Sequence, residues 1–174
     1  MPRGRDEKRF FRLGGESNFA KLRGGEKLRL TTAMYKKILV ALDNSPTDQA
    51  MFLHIAELAK VHDSELLLVH VADGWAARNY NRFDLADSEE MKVDRAYLEA
   101  AATDLRANGL RAKAQLALGD PAKEILKAAE AGGCDLIAMT THGHRFFNDL
   151  LYGSTITQVR HLAKVPVLLV NVPK

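Results

Sequence analysis

Two glycine-centred turns in the C-terminal third hold the residues best suited to chemistry. Met139-Thr140-Thr141-His142-Gly143 is followed, after the nine residues His144 to Tyr152, by Gly153-Ser154. A glycine lets main-chain amides approach an anion with no Cβ in the way, and the free amides and dipole of a helix N-terminus attract phosphate. One such turn closing a strand and a second opening a helix could together clamp a polyphosphate. Two glycines at this spacing mean little alone, because glycines often only end strands and cap helices. Their place in the fold gives them weight.

Other side chains admit a chemical role beside a plainer one. Asp43 closes an apolar run, where it could meet a ligand or simply cap the turn. His142 and His144 lie two apart, but no Cys or acidic residue stands near them at ligand spacing, so they are read as surface histidines. Arg145 could screen phosphate or be an ordinary solvated arginine. Cys134, the single cysteine, has no identifiable activating base and reads as a packed, inert thiol. Gly74 to Phe83 combines Trp75 and Tyr80 with Arg78 and Arg82, either a lid over a ligand or a surface loop resting on the next helix.

These segments need elements to place them. Ile38-Leu39-Val40-Ala41-Leu42 is a continuous apolar run closed by Asp43-Asn44-Ser45-Pro46, which predicts a strand buried on both faces and then a helix start. Ser45 is the expected N-cap, Pro46 the first helical residue, and Asp48 completes a capping-box spacing for a helix to about His62. Leu66 to Val71 predicts a second buried strand, and after a polar stretch a charged amphipathic helix runs from about Ala86 to Asn108, ended by Gly109. Arg111 to Leu118 alternates apolar and polar, as a strand nearer a sheet edge does. Asp120 and Pro121 open a third helix that Gly132-Gly133 closes, Leu136 to Met139 forms a fourth strand, Ser154 caps a fourth helix to about Ala163, and Val165 to Val170 is the fifth strand.

Strand and helix alternate four times before the last strand, which predicts an α/β fold: a doubly wound, five-stranded parallel sheet with helices on both faces. Ligands of such sheets bind beyond the carboxyl ends of the strands, where the winding reverses. Asp43, Val71 to Asp73, and Thr140 to Gly143 are thereby expected at one rim.

Composition agrees with a single globular domain carrying a tail. The 174 residues are 47% hydrophobic and 27% charged, and no apolar run reaches the roughly 18 to 20 residues of a bilayer span. A lone cysteine forms no intramolecular disulfide, so a reducing cytoplasm is the expected location. The net charge of +3 is unevenly spread: residues 1 to 33 carry nine basic and four acidic side chains, a balance of +5, leaving −2 for the remainder. Residues 1–33 are expected to be a mostly disordered basic extension, or an upstream addition to a frame that starts at Met34, and residues 34–174 the domain. Acidic residues interrupt the basic arm and no recognition module accompanies it, so neither nucleic acid nor a membrane is an expected partner.

From Met34 to Val172 the chain resembles the universal stress protein family. The markers are Tyr35-Lys36-Lys37-Ile38-Leu39-Val40-Ala41-Leu42-Asp43, the Gly119-Asp120-Pro121 turn, Asp135 to Met139, Thr141-His142-Gly143, Gly153-Ser154 and Val165-Pro166-Val167-Leu168-Leu169-Val170. The resemblance implies strand order 3-2-1-4-5 and a homodimer paired through the last strand, Val165 to Val170. It also implies a ligand, ATP or a related adenine nucleotide, with Mg2+ as an optional companion. Binding members carry glycine, two residues, glycine, nine residues, glycine, then serine or threonine. Gly143, Gly153 and Ser154 match, but Thr140 occupies the first glycine position. The site residues so implied are Ala41, Asp43, Val71, Met139, Thr140, Gly143, Gly153, Ser154 and Thr155, with Asp43 near base and ribose, Val71 presenting backbone to adenine, and the last four on the phosphates.

Three classes of function follow. A nucleotide-binding stress or regulatory module, signalling through conformation or dimer contacts, is the expected one. A nucleotide-independent interaction module is the alternative that Thr140 raises. An enzyme is not expected, since the P-loop pattern is missing and no nucleophile stands with an evident base and orienting group. A phosphorylation receiver is excluded because its aspartate after the third strand is replaced here by Leu118-Gly119.

Overall fold

A computed structural model of the chain describes residues 19–21, 27–29, 34–74, 88–141 and 154–171. The chain divides into two units, Met1–Thr32 and Ala33–Lys174. In the first, β1 (Phe19–Lys21) pairs antiparallel with β2 (Lys27–Arg29), a short ladder that the irregular hydrophobic pattern of the tail does not announce.

In the second unit five strands form a sheet: β3 (Lys37–Leu42), β4 (Glu65–Ala72), β5 (Arg111–Leu118), β6 (Leu136–Thr140) and β7 (Val167–Val170). Their order is β5-β4-β3-β6-β7, which is 3-2-1-4-5 counted from the first strand of this unit. All four pairings are parallel, so each of the first four strands is followed by a crossover helix. The helices are α1 (Thr47–His62), α2 (Glu89–Ala107), α3 (Pro121–Gly132) and α4 (Ser154–Leu162).

The period of two along each strand sorts the core into two layers. Ile38, Val40, Leu42, Leu66, Leu68, Leu136 and Ala138 face α1 and α2, where Met51, Ile55, Leu98 and Ala102 complete one cluster. Leu39, Leu67, Val69, Ile137 and Met139 face the other way, onto Ile125, Ala128, Ile156 and Val159 of α3 and α4. Central β3 is buried on both faces, which is why it reads as an unbroken apolar run, whereas edge strand β5 alternates exposed and buried residues. Cys134 is buried in the second cluster, and burial raises its thiol pKa, in keeping with a packed thiol.

Several boundaries depart from expectation for local reasons. Helix α3 starts as expected, with Pro121 in its first turn and the Asp120 carboxylate accepting from the Lys123 N–H at 3.1 Å, and it closes at Gly133 with φ 64°. Helix α1 starts one residue late, at Thr47, and Pro46 at its cap makes no side-chain cap bond. The Ser45 hydroxyl bonds the Asp43 carboxylate (2.6 Å) and the Thr47 hydroxyl (2.7 Å) and still accepts from the Thr47 N–H at 3.3 Å, while the Asp48 carboxylate accepts from the Ser45 N–H at 3.3 Å, as a capping box does. Helix α2 starts at Glu89 because Ser88 caps it, its Oγ accepting from the Met91 N–H at 3.2 Å. Ser154 lies inside α4 and not before it. Strand β7 begins at Val167, since Pro166 has no N–H to give and contributes only a carbonyl, to the Ile137 N–H at 3.1 Å.

Candidate functional site

Parallel pairing brings the carboxyl ends of β3, β4 and β6 to one edge of the sheet, with Asp43, Asp73 and Thr141 as the residues that follow them. Helix α1 leaves β3 toward one face and α4 follows β6 onto the other, so the winding reverses between β3 and β6. The carboxyl edge at this reversal, where ligands of such sheets bind, is flanked by the start of α1 and the start of α4.

Among the anticipated residues, Ala41 and Val71 are half-buried and pack toward the α3 and α4 layer. Met139 is 5% exposed with its side chain in that core, so only its backbone can face a ligand. Thr140 ends β6 opposite Val170 and is buried, and the alternation of the strand turns its side chain with Leu136 and Ala138 toward α1. Thr141 donates its N–H to the Val170 carbonyl at 2.9 Å. Ser154 is exposed and Thr155 half-buried at the start of α4. Gly143 and Gly153 lie outside the described residues, as do His142, His144, Arg145 and the segment from Trp75 to Phe83. Among the described residues no group of three His, Cys, Asp or Glu could hold a metal ion, and no helix is long and apolar enough to cross a membrane.

A polar network under the β3–α1 turn went largely unseen in the sequence. Asn44, the middle residue of Asp43-Asn44-Ser45, has φ 56°, the left-handed region that asparagine tolerates better than most residues. Its side-chain amide donates to Asp94 Oδ1 on α2 at 3.1 Å. Asp94 Oδ2 lies 3.3 Å from His70 Nε2, and His70 Nδ1 is 2.9 Å from the Leu42 carbonyl. A carbonyl only accepts, so Nδ1 carries a hydrogen there. The end of β3, the end of β4, the turn and α2 are tied together by these three side chains.

Asp48 holds the same turn from the α1 side. Its carboxylate accepts from the N–H groups of Asp43 (3.4 Å) and Ser45 (3.3 Å) and from the Tyr97 hydroxyl (2.7 Å). Asp48 is 2% exposed, and burial raises its pKa from 3.8 to about 6. The neighbouring Asp43 charge adds to the rise, while the Tyr97 hydroxyl works against it. Burial and the bond to Asp48 likewise push the Tyr97 phenol up.

A sequence signal for these residues did exist. Asp48 shares a stripe with Met51, Ile55 and Ala59, and Asp94 shares one with Met91, Leu98, Ala102 and Leu105. An aspartate at a core position of an amphipathic helix must find partners, because a buried unpaired carboxylate is costly.

Comparisons with known proteins agree with this architecture. The chain is 28% identical over 157 residues to the universal stress protein MJ0577 of Methanocaldococcus jannaschii, covering 80% of this chain and 97% of that one. The solved structure of MJ0577 superposes with a TM-score of 0.67 at 29% identity, over 81% of this chain and 99% of the other. A universal stress protein from Archaeoglobus fulgidus, solved in complex with dAMP, matches with a TM-score of 0.58 at 21% identity, over 78% and 98% of the two chains. Another universal stress protein, solved with cAMP, gives 0.59 at 19% identity, over 79% and 98%. Residues 34–171 match the family as a whole, and with the sheet order and the rim at β3 and β6 in place, the chain belongs to the universal stress protein family.

Proposed function

We propose that the protein binds an adenine nucleotide, ATP in the first instance, at the carboxyl edge of the sheet and acts as a stress-response regulator through ligand-dependent conformation or dimer contacts. The observation that carries this is the reversal of winding between β3 and β6, which sets Asp43, Val71 and Thr140 at the same end as the start of α4. Asp43 is suited to hydroxyl and amino donors of ribose and base. The amides at Ser154 and Thr155, with Gly143 and Gly153, are suited to phosphate. The related structures that hold dAMP and cAMP support the choice of an adenine nucleotide. We read the protein as a binder, not an enzyme.

Thr140 in place of a glycine favours the second reading, a nucleotide-independent interaction module. Against it, the Thr140 side chain is buried, with its bulk on the α1 side of the sheet. Calorimetric titration of the whole chain with ATP, ADP and AMP, with and without Mg2+, tests the choice. Saturable binding that Gly143→Val abolishes is expected, with Thr140→Gly at least as tight as the parent. No heat from any of the three nucleotides would leave the interaction module.

The homodimer belongs to the same proposal. Strand β7 pairs with β6 on one side, and its residues are only half-buried. Among the described residues β7 has no second neighbour, and such a strand edge is a template for a further strand. Beside it, Leu53 and Val61 of α1 are 71% and 79% exposed and line an apolar hollow that reaches Val170. The Pro166 and Val170 carbonyls point to β6, so the two-residue period directs the Leu169 N–H outward. Leu169→Pro is expected to yield a folded monomer in sedimentation; an unchanged dimer would place the interface elsewhere.

A further inference from the structure

We infer that Asp48 is a positioning residue for the Asp43–Ser45 turn, and that through its bond to Tyr97 it puts the shape of that turn, and with it ligand capture at the rim, under the control of a single proton. This rests on the proposed site at Asp43.

The geometry suits the carboxylate best. Three donors converge on Asp48: two turn amides and the Tyr97 hydroxyl. An ionised carboxylate only accepts and satisfies all three, whereas a carboxylic acid must donate from one oxygen. When Asp48 takes up a proton, a proton on Oδ1 meets the Asp43 N–H, which cannot accept, and a proton on Oδ2 is taken by the Tyr97 oxygen only if that hydroxyl turns from donor to acceptor, leaving the Ser45 N–H facing an acid hydroxyl in place of a charged oxygen. Either way one amide of the turn loses its bond to a charged oxygen. The turn has little freedom to absorb this in place, because Asn44 is held at φ 56° by its bond to Asp94 on the other side.

Helix α2 supplies both fasteners. Asp94 and Tyr97 are three residues apart on one face, so a shift of α2 would move both sides of the turn together. Burial brings the Asp48 protonation near pH 6, within reach of ordinary changes in cell pH. The charged or titratable groups that face it are Asp43 from the turn and Tyr97 from α2. Beyond the turn lies the His70–Asp94 pair, joined to it through Asn44. His70 therefore has to be told apart from Asp48 in any test of pH.

Two measurements on the whole chain test the inference. In the free protein, the amide resonances of Asp43 and Ser45 are followed by NMR from pH 5 to 7.5. They are expected to titrate with a midpoint near 6, to lose that titration in Asp48→Asn, and to shift it to higher pH in Tyr97→Phe, which removes the hydroxyl that favours the ionised form. A purely structural Tyr97 would leave the midpoint where it was. Amides that stay still, or that titrate unchanged in Asp48→Asn because His70 drives them, overturn the inference.

ATP affinity is then measured for the parent and Asp48→Asn across the same range; the protonation of ATP itself is common to both and cancels in the ratio. The parent is expected to bind about tenfold more tightly at pH 7.5, the worth of one hydrogen bond to a charged group, and the ratio to approach one at pH 5. A flat ratio overturns the link to ligand capture. Titrating amides with no ATP binding at any pH would retain the proton-controlled turn and remove the nucleotide reading instead.

Discussion

The two ends of the β-sheet handle charge in opposite ways. At the amino ends of the strands, carboxylates meet cations and amides near solvent. Asp135 accepts from the Lys36 and Lys37 N–H groups at 2.9 and 3.0 Å, and Glu65 lies between Lys113 (2.9 Å) and Lys37 (3.3 Å). Lys113, then Lys37, hold the Glu65 carboxyl below its usual range. At the carboxyl ends, Asp48 is buried, lies beside the like charge of Asp43, and is held above its usual range. One end gains from ionisation while the other is burdened by it. Natural domains keep burdens of that kind chiefly where a site requires them.

The linkage signs make the contrast measurable. A carboxyl whose folded pKa is lowered adds stability that is present above its unfolded pKa and lost as pH falls through the folded value. Glu65 does this. A carboxyl whose folded pKa is raised adds stability that is complete below its unfolded value and lost as pH rises through the folded one. Asp48 does this between pH 3.8 and about 6.

The largest effect is therefore expected from Asp48→Asn, which resembles the protonated side chain. It should gain on the parent as pH rises from 4 to 7, by at most about 3 kcal/mol, the worth of a shift of this size, less the cost of an amide donor that faces the turn N–H groups. Urea unfolding at pH 4, 5, 6 and 7 checks it, and a variant that parallels the parent throughout would break the contrast between the two ends. Next, Asp135→Ala strands two main-chain amides at the opposite end and should cost about 2 kcal/mol at pH 7. Its ATP affinity, measured by calorimetry, should stay at the parent value; a weakened affinity would mean the ends are not separate in function. The smallest effect belongs to Lys113→Met. An ion pair this exposed is worth less than about 0.5 kcal/mol, so the unfolding midpoint at pH 7 should barely move. The Glu65 carboxyl should nonetheless titrate closer to its ordinary range by NMR, and an unmoved Glu65 would show that Lys113 is not its main partner.

Much of this architecture was legible in linear order. The unbroken run Ile38 to Leu42 announced a strand covered on both faces, and Arg111 to Leu118 announced an edge by its alternation. Asp120-Pro121 and Gly133 marked the ends of α3 because caps act through neighbours in the chain. The rim positions of Asp43, Val71 and Thr140 followed from strand order alone. Ser45 shows where such local rules blur: its hydroxyl accepts from the Thr47 N–H at 3.3 Å as a cap does, but it also bonds the Asp43 carboxylate, and the helix begins at Thr47, one residue later than the pattern suggests.

What linear order could not supply was partnership across distance. His70 and Asn44 are unremarkable in the chain, and with Asp94 they form one unit only because parallel β3 and β4 end together and α2 packs over them. The same holds for Asp48, which looked like half of a capping box. Its burial, its raised pKa and its hold on the turn come from Tyr97, 49 residues away. Backbone pattern is written by near neighbours and can be read from them. The ionisation of a buried group depends on whatever the folded chain brings to within a few ångströms, and only packing sets that.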